Sequence, residues 1–395
     1  MNVYTKLSIG CMLATAVFLA GEIAVRKLQD PPLDLNSLQA EGDWTARYAH
    51  DDSIAQQSVG IIPLFRFNCW APGQPFRYSR EINRESNTEA SEPLALLLNS
   101  HNISLAITWN GRPIGPLRTQ YYRSHVIRIP PDISQAGPQR IALTEIAGFE
   151  IAPHATKIHL GRAHEITKYR QLLEIADILW IAVYASLFCA ALFAARALER
   201  DAEQFSKRAL IAFSAYCLAL LATAAVESSW LKPLLFSRFY SATELIPPSL
   251  NTVAFAAFAW SLLPDKPLKV WRLLRIALSM LLAVATAAAL LRIHAASIPP
   301  EFYEYSHLIT EADTASLWKL SIALCGIAAL IGGSRTGALL VLLVSVTALS
   351  RWSQVTSFIN ADARAVAHVG ILIAIVATLA LAGRRDRHAS GPRNS

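Results

Sequence analysis

The chain has 395 residues, 53% of them hydrophobic and only 16% charged, a balance that excludes an ordinary soluble globular protein and points to several membrane segments. Its net charge of +7 would suit a nucleic-acid partner if the basic residues gathered on one soluble face. They instead flank apolar runs, where membrane topology explains them, so no nucleic acid is expected.

Leu7 to Val25 is apolar except for Glu22, with Lys6 before it and Arg26 and Lys27 after it. Residues 1–27 therefore read as a signal peptide or an uncleaved signal anchor. Ala14-Thr15-Ala16 has the form of a cleavage site, but cutting there would leave a short apolar core, which favours the anchor. Either way, the next segment of the chain is expected to be exported.

Residues 28–165 are less apolar and carry short runs of strand character between turn residues. Ile61 to Phe67, Leu94 to Leu98, His125 to Ile129 and Arg140 to Ile146 are candidates. In Ile103 to Trp109, Ile103, Leu105, Ile107 and Trp109 share one face, the alternation of a half-buried strand. Asn110-Gly111 comes next, and this dipeptide supplies the positive φ values of a type I′ turn, so Ile103 to Ile114 is expected to be a β-hairpin. Strands at this spacing imply an antiparallel β-sandwich. Of the five cysteines, only Cys69 falls in this region, which excludes an internal disulfide there. No spacing of Cys and His suggests a metal, and no cofactor is expected.

Trp109, Arg118, Tyr121, Tyr122, Arg123 and His125 gather aromatic and polar groups near one loop. They form either a ligand patch, with rings stacking on a sugar, or the amphipathic rim of the sandwich.

From Ile166 to Ala195 the chain passes without a break from charged residues into an apolar helix of membrane length. Residues 166–383 then hold seven apolar segments: Leu173 to Ala195, Ala209 to Val226, Leu245 to Leu263, Leu273 to Ile293, Leu317 to Ile331, Gly337 to Ser350 and Val366 to Ala382. Arg196, Arg200, Lys207 and Arg208 fall between the first two, and Lys266, Lys269 and Arg272 between the third and fourth with Arg275 at the start of the fourth, the positions that alternation from an exported region assigns to the cytoplasm. Residues 384–395 are expected to be a short basic cytoplasmic tail. Asp177, Glu227, Glu244 and Asn251 lie toward the outward ends of these segments, where they either line a water-filled pocket or bond locally at the interface. The pair Pro247-Pro248 is expected to break the third segment.

ITWNGRPIG, SHVIRIPPDISQAGPQRIAL and KIHLGRAHEITKYRQ, leading into an apolar helix, are similar to a progression found in the bacterial 7TMR-DISM receptors. In that family a jelly-roll-like exported sensor domain precedes seven transmembrane helices. The resemblance implies a multispan α-helical membrane protein with an N-terminal exported antiparallel β-sandwich. It implies a sensor in a bacterial inner membrane, with a periplasmic β-domain that binds a small molecule or glycan. No kinase or cyclase pattern comes after the last segment, so the output would pass to a separate signalling or envelope protein. Gly332-Gly333-Ser334-Arg335-Thr336-Gly337 resembles the Ser-Arg-Gly motif of O-antigen ligases, yet helix capping and positive-inside anchoring explain it as well. No catalytic motif is present, and the chain is not expected to be an enzyme. The competing readings are a membrane enzyme acting on envelope glycan or lipid, or an accessory scaffold of an envelope machine.

Overall fold

The computed structural model describes residues 2–28, 44–48, 57–59, 75–84, 93–99, 103–114, 124–133, 137–146, 157–198, 204–228, 231, 250–263, 269–296, 311–356 and 361–389. They fall into two compact units. One comprises Ala24–Asp177 with Glu227–Tyr240 and contains all the strands; the other comprises Met1–Ile23, Ile178–Val226 and Ser241–Ser395 and is helical.

Among its described residues the sheet unit has nine strands: β1 Trp44–Tyr48, β2 Gln57–Val59, β3 Pro75–Arg84, β4 Leu94–Asn99, β5 Ile103–Trp109, β6 Arg112–Pro113, β7 Ser124–Ile129, β8 Gly137–Ile146 and β9 Lys157–Arg162. They form a six-stranded sheet in the order β2-β1-β3-β8-β5-β6 and a three-stranded sheet in the order β7-β4-β9, with antiparallel pairing throughout. The longest register joins β3 to β8, from Pro75 opposite Ile146 to Arg84 opposite Gly137. A bulge between Ser104 and Ala106 interrupts the pairing of β5 with β8.

Strand β4 is buried on both faces, which is why it reads as an unbroken apolar run and not as an alternation. Leu94, Leu96 and Leu98 pack with Ile127 and Ile129 of the same sheet and with Ile107, Trp109, Ile141 and Leu143 of the larger one. Ala95 and Leu97 face the other way, onto Ile166 with Tyr169 and Leu173 beside it. These last three belong to helix α2, Ala163–Ala197. That helix begins where β9 ends, and the Ala163 N–H donates to the Pro93 carbonyl at 2.9 Å.

The turn between β5 and β6 has φ of 50° at Asn110 and 81° at Gly111, the left-handed pair that a two-residue hairpin demands. A Cβ on Gly111 would meet nothing within 4 Å, so the cost of Gly111→Ala is conformational alone. We expect about 1–2 kcal/mol of destabilisation, measured as a lowered denaturation midpoint of the detergent-solubilised protein. Ile61 to Phe67 lies outside the described residues, as does Cys69.

Helix α1, Val3–Leu28, opens the chain. After α2 come α3 Gln204–Glu227, α4 Leu250–Ser261, α5 Lys269–Ala296, α6 Glu311–Ile331, α7 Arg335–Thr356 and α8 Ala361–Ala389. One apolar core joins them, from Leu19 of α1 through Phe213, Phe258, Leu282, Cys325 and Leu343 to Ile375 of α8. Ala190, Ala191, Ala194 and Ala195 are buried in α2, small side chains that admit close helix approach. The described helix α4 starts two residues past Pro248. Helix α8 continues through Arg384, Arg385 and Arg387 to Ala389, so the first half of the segment expected as a basic tail is helical, as suits arginine's helix propensity.

The expected fold class needs correction on two points. The N-terminus is a helix and not a sheet domain; the strands are inserted between α1 and α2. Among the described residues three helices, not seven, are long and apolar enough to cross a membrane: Val3–Leu28, Ala163–Ala197 and Ser206–Val226. Among the described residues, four other apolar helical stretches are shorter, Leu250–Ser261, Lys319–Ile331, Arg335–Val346 and Val366–Ala382. Lys269, Arg272 and Arg275 occupy the first two turns of α5. The three long apolar helices make the chain a membrane protein.

Candidate functional site

Of the six sheet-unit candidates, Trp109 and His125 lie among the described residues. Trp109 is 1% exposed and belongs to the core between the sheets. Its indole N–H donates to Gln139 Oε1 at 2.8 Å, and the Asn110 amide donates to the same oxygen at 2.6 Å. Asn110 Oδ1 in turn accepts from the Arg140 N–H at 2.7 Å. Trp109 thus fastens the hairpin to β8, and its ring faces are not available for stacking on a sugar. His125, partly buried, sits opposite Leu98 in the smaller sheet. Arg118, Tyr121, Tyr122 and Arg123 lie outside the described residues.

Asp177 is partly buried in α2, Glu227 ends α3, and Glu244 lies outside the described residues. Asn251, in the first turn of α4, has a buried Oδ1 that accepts no hydrogen bond among the described residues. Phe255, one turn further on, stacks on Tyr216 of α3 at 4.5 Å between ring centroids.

This stack leads to a group that no motif in the sequence announces. Helices α1 and α2 run antiparallel, fixed by three polar contacts that descend one helix as they climb the other. Asn2 Nδ2 donates to the Ala197 carbonyl at 3.3 Å, Ser8 Oγ to that of Ala190 at 2.9 Å, and Trp180 Nε1 to Glu22 Oε1 at 2.8 Å. Glu22 is fully buried. Trp180 stacks on Tyr184, one turn along α2, with centroids 5.5 Å apart. Tyr184 is within electrostatic reach of both Glu22 and Cys217 of α3, and Tyr216 within reach of Tyr184. A carboxyl, two phenols and a thiol from three helices thus lie in or against one apolar core, with Tyr184 within electrostatic range of the other three.

A carboxyl costs several kcal/mol to bury in such a medium unless it is bonded, so Glu22 has no place in an anchor helix without partners. The group can hold a proton or offer polar atoms to a ligand's head. Its one legible sign in the sequence is a single acid in the apolar run from Leu7 to Val25. Among the described residues no three His, Cys, Asp or Glu side chains are placed to share a metal ion.

Trp180→Phe keeps a ring against Tyr184 but removes the N–H donor to Glu22. We expect a loss of about 2 kcal/mol in stability, the worth of a hydrogen bond to a buried carboxyl. Glu22→Gln, which keeps an acceptor oxygen, should cost less. Thermal unfolding of the two variants in detergent measures the order.

No family model matches the chain, and comparison with curated proteins finds no match.

Proposed function

We propose that this chain is a receptor-like protein of a bacterial inner membrane. Its sheet unit binds a small ligand, a glycan by resemblance to the 7TMR-DISM sensors, on the periplasmic side. The response passes to a separate signalling or envelope protein, and no covalent chemistry is involved.

The observation that carries this reading is the continuity of α2. One helix supplies Ile166 to the core beneath β4 and Val183, Leu187 and Ala190 to the helical core. A ligand that favours one arrangement of the β4 face over another acts on Ile166, Tyr169 and Leu173, and so on a helix whose other half lies in the membrane. Arg170 and Glu174, in an i,i+4 pair at 2.9 Å, add helix-stabilising charge between the two halves.

Hydrogen exchange of residues 166–177 in the intact protein tests the proposal, with a panel of mono- and oligosaccharides screened first for binding. A bound glycan should change protection there. A glycan that binds and leaves this segment unchanged sinks the coupling.

The proposed orientation rests on the same helix pair. Because α1 and α2 are antiparallel, the residues between them in sequence start and finish at one end of the pair. Arg196, Lys207 and Arg208 mark the opposite end as cytoplasmic. A membrane-impermeant thiol reagent should label Arg112→Cys in cells with a permeabilised outer membrane and spare Arg208→Cys until the inner membrane is opened. Both side chains are exposed, so the reagent's access is decided by the membrane alone.

A further inference from the structure

We infer that the start of helix α5 is a docking site for the headgroup of an anionic phospholipid. The exposed cations of α5, Lys269 and Arg272, are confined to its first turn, where Val270, Leu273 and Leu274 are exposed beside them; further along, the exposed large side chains Ile276, Met280 and Val284 are all apolar, at 49%, 67% and 57%. Leu278 and Leu282 tie the helix to the core. Cations at one end and an uncharged apolar length beyond them is the order of a membrane leaflet entered from the water, with headgroups above acyl chains. The exposed stripe of α5 therefore needs no protein to cover it, and its basic end meets the headgroup layer.

A neighbouring structure fixes the level. Arg275 lies over the ring of Trp260 in α4, with the guanidinium carbon 4.8 Å from the centroid. The Trp260 indole donates to Ser279 Oγ at 2.8 Å, and that hydroxyl donates to the Arg275 carbonyl at 2.7 Å. Trp260 is itself 43% exposed, an amphipathic ring of the kind that settles at the membrane interface. A cation held on an aromatic face beside two exposed cations makes a positive cradle for a phosphate. Lys266 and Asp265, which precede α5 in sequence, offset each other in charge. The surplus is thus carried by Lys269, Arg272 and Arg275, and the positive end of the helix dipole adds to it.

The site is independent of the receptor reading, since it concerns the bilayer and not the ligand of the sheet unit. Native mass spectrometry of the full chain in mixed micelles tests it, with phosphatidylglycerol and phosphatidylcholine as the probes. The wild type should retain phosphatidylglycerol in preference. The double variant Lys269→Gln/Arg272→Gln should lose affinity for it roughly thirtyfold, at about 1 kcal/mol per basic residue near a charged surface. Lys269→Arg/Arg272→Lys, which keeps both charges, should bind as the wild type does. Arg384→Gln/Arg385→Gln, with the same loss of net charge elsewhere, should also bind as the wild type does. Equal retention of the two lipids overturns the inference, as does undiminished binding by the first variant or an equal loss in the Arg384 and Arg385 variant. Competition by soluble glycerol phosphate as effective as the lipid itself would also overturn it, by showing a free-anion site.

Discussion

Gly337→Ala is expected to separate helices α6 and α7 and to leave little folded protein. A Cβ at Gly337 would stand 2.5 Å from the Gly326 carbonyl oxygen and 2.5 Å from the Leu330 nitrogen, with the Ala329 carbonyl carbon at 3.0 Å. All three are backbone atoms of the facing helix, so no side-chain rotation relieves the clash. The reciprocal site is nearly as tight, since a Cβ at Gly326 would meet Val341 Cγ2 at 2.8 Å and the Gly337 oxygen at 3.0 Å.

The connection between the helices is equally restricted. The Ser334 N–H donates to the Ala329 carbonyl and the Gly333 N–H to that of Leu330, both at 2.9 Å, while Gly333 holds φ at 97°. This is a Schellman motif, which closes α6 with a left-handed glycine and turns the chain at once into α7. The hairpin is therefore pinned at its turn and pressed together at Gly326 and Gly337. Overpacking of this kind costs about 3 kcal/mol or more, because the backbones must part along several turns. Size-exclusion profile and thermal midpoint after detergent extraction measure it. Gly370→Ala in α8, where a Cβ meets nothing within 4 Å, should leave both unchanged.

The second large effect is expected at Trp109. Trp109→Ala removes the largest fully buried side chain of the sheet unit and opens a void bounded by neighbours from both sheets. Such truncations cost about 3–5 kcal/mol, the lost transfer energy plus the cavity that rigid sheets do not close. Trp109→Phe retains most of the bulk and loses only the bond to Gln139 Oε1, which still accepts from Asn110, so about 1 kcal/mol is expected. Denaturant midpoints from near-ultraviolet circular dichroism separate the two variants. A wild-type midpoint for Trp109→Ala would mean that the residue is not the keystone of this core. Glycan binding by Trp109→Phe equal to the wild type would agree with the ring's burial.

How much of this was legible depends on what each residue's pattern encodes. Strands β4, β5, β7 and β8 were readable because their apolar residues obey a strand rule, either alternation or an unbroken run. Strand β3 escaped notice because Arg77, Arg80, Glu81 and Arg84 punctuate it, and Arg140 of β8 supplies pairing for it that only the fold reveals, through a 3.1 Å bond to Ser79 Oγ. The two-residue turn was readable because Asn-Gly has one common use. Trp109 was readable both as part of the apolar face of its strand and as part of a surface patch, because a tryptophan before a turn has the same letters whether its ring faces outward or inward.

In the helical unit, hydropathy finds apolar length but not the neighbours that bury it. Among the described residues the apolar stretches of α4, α6, α7 and α8 run to 10–17 residues, shorter than those of α1, α2 and α3, and all of these helices share one apolar core. Glu22 was visible as an anomaly, yet its partner lies 158 residues away in Trp180, a distance across which no local rule reaches.

That separation has a consequence for the order in which the protein is made. Helix α1 emerges from the ribosome ahead of α2, and the acceptor on Glu22 meets the Trp180 donor only after 158 further positions have been translated. At ordinary rates of synthesis this takes roughly 8–30 s. During that interval α1 is a membrane segment with an acid toward its far end, and the helix that completes it does not yet exist. The insertion apparatus must shelter Glu22 for that time, so Glu22→Leu should relieve the nascent chain of this need even as it deprives the finished protein of a bond.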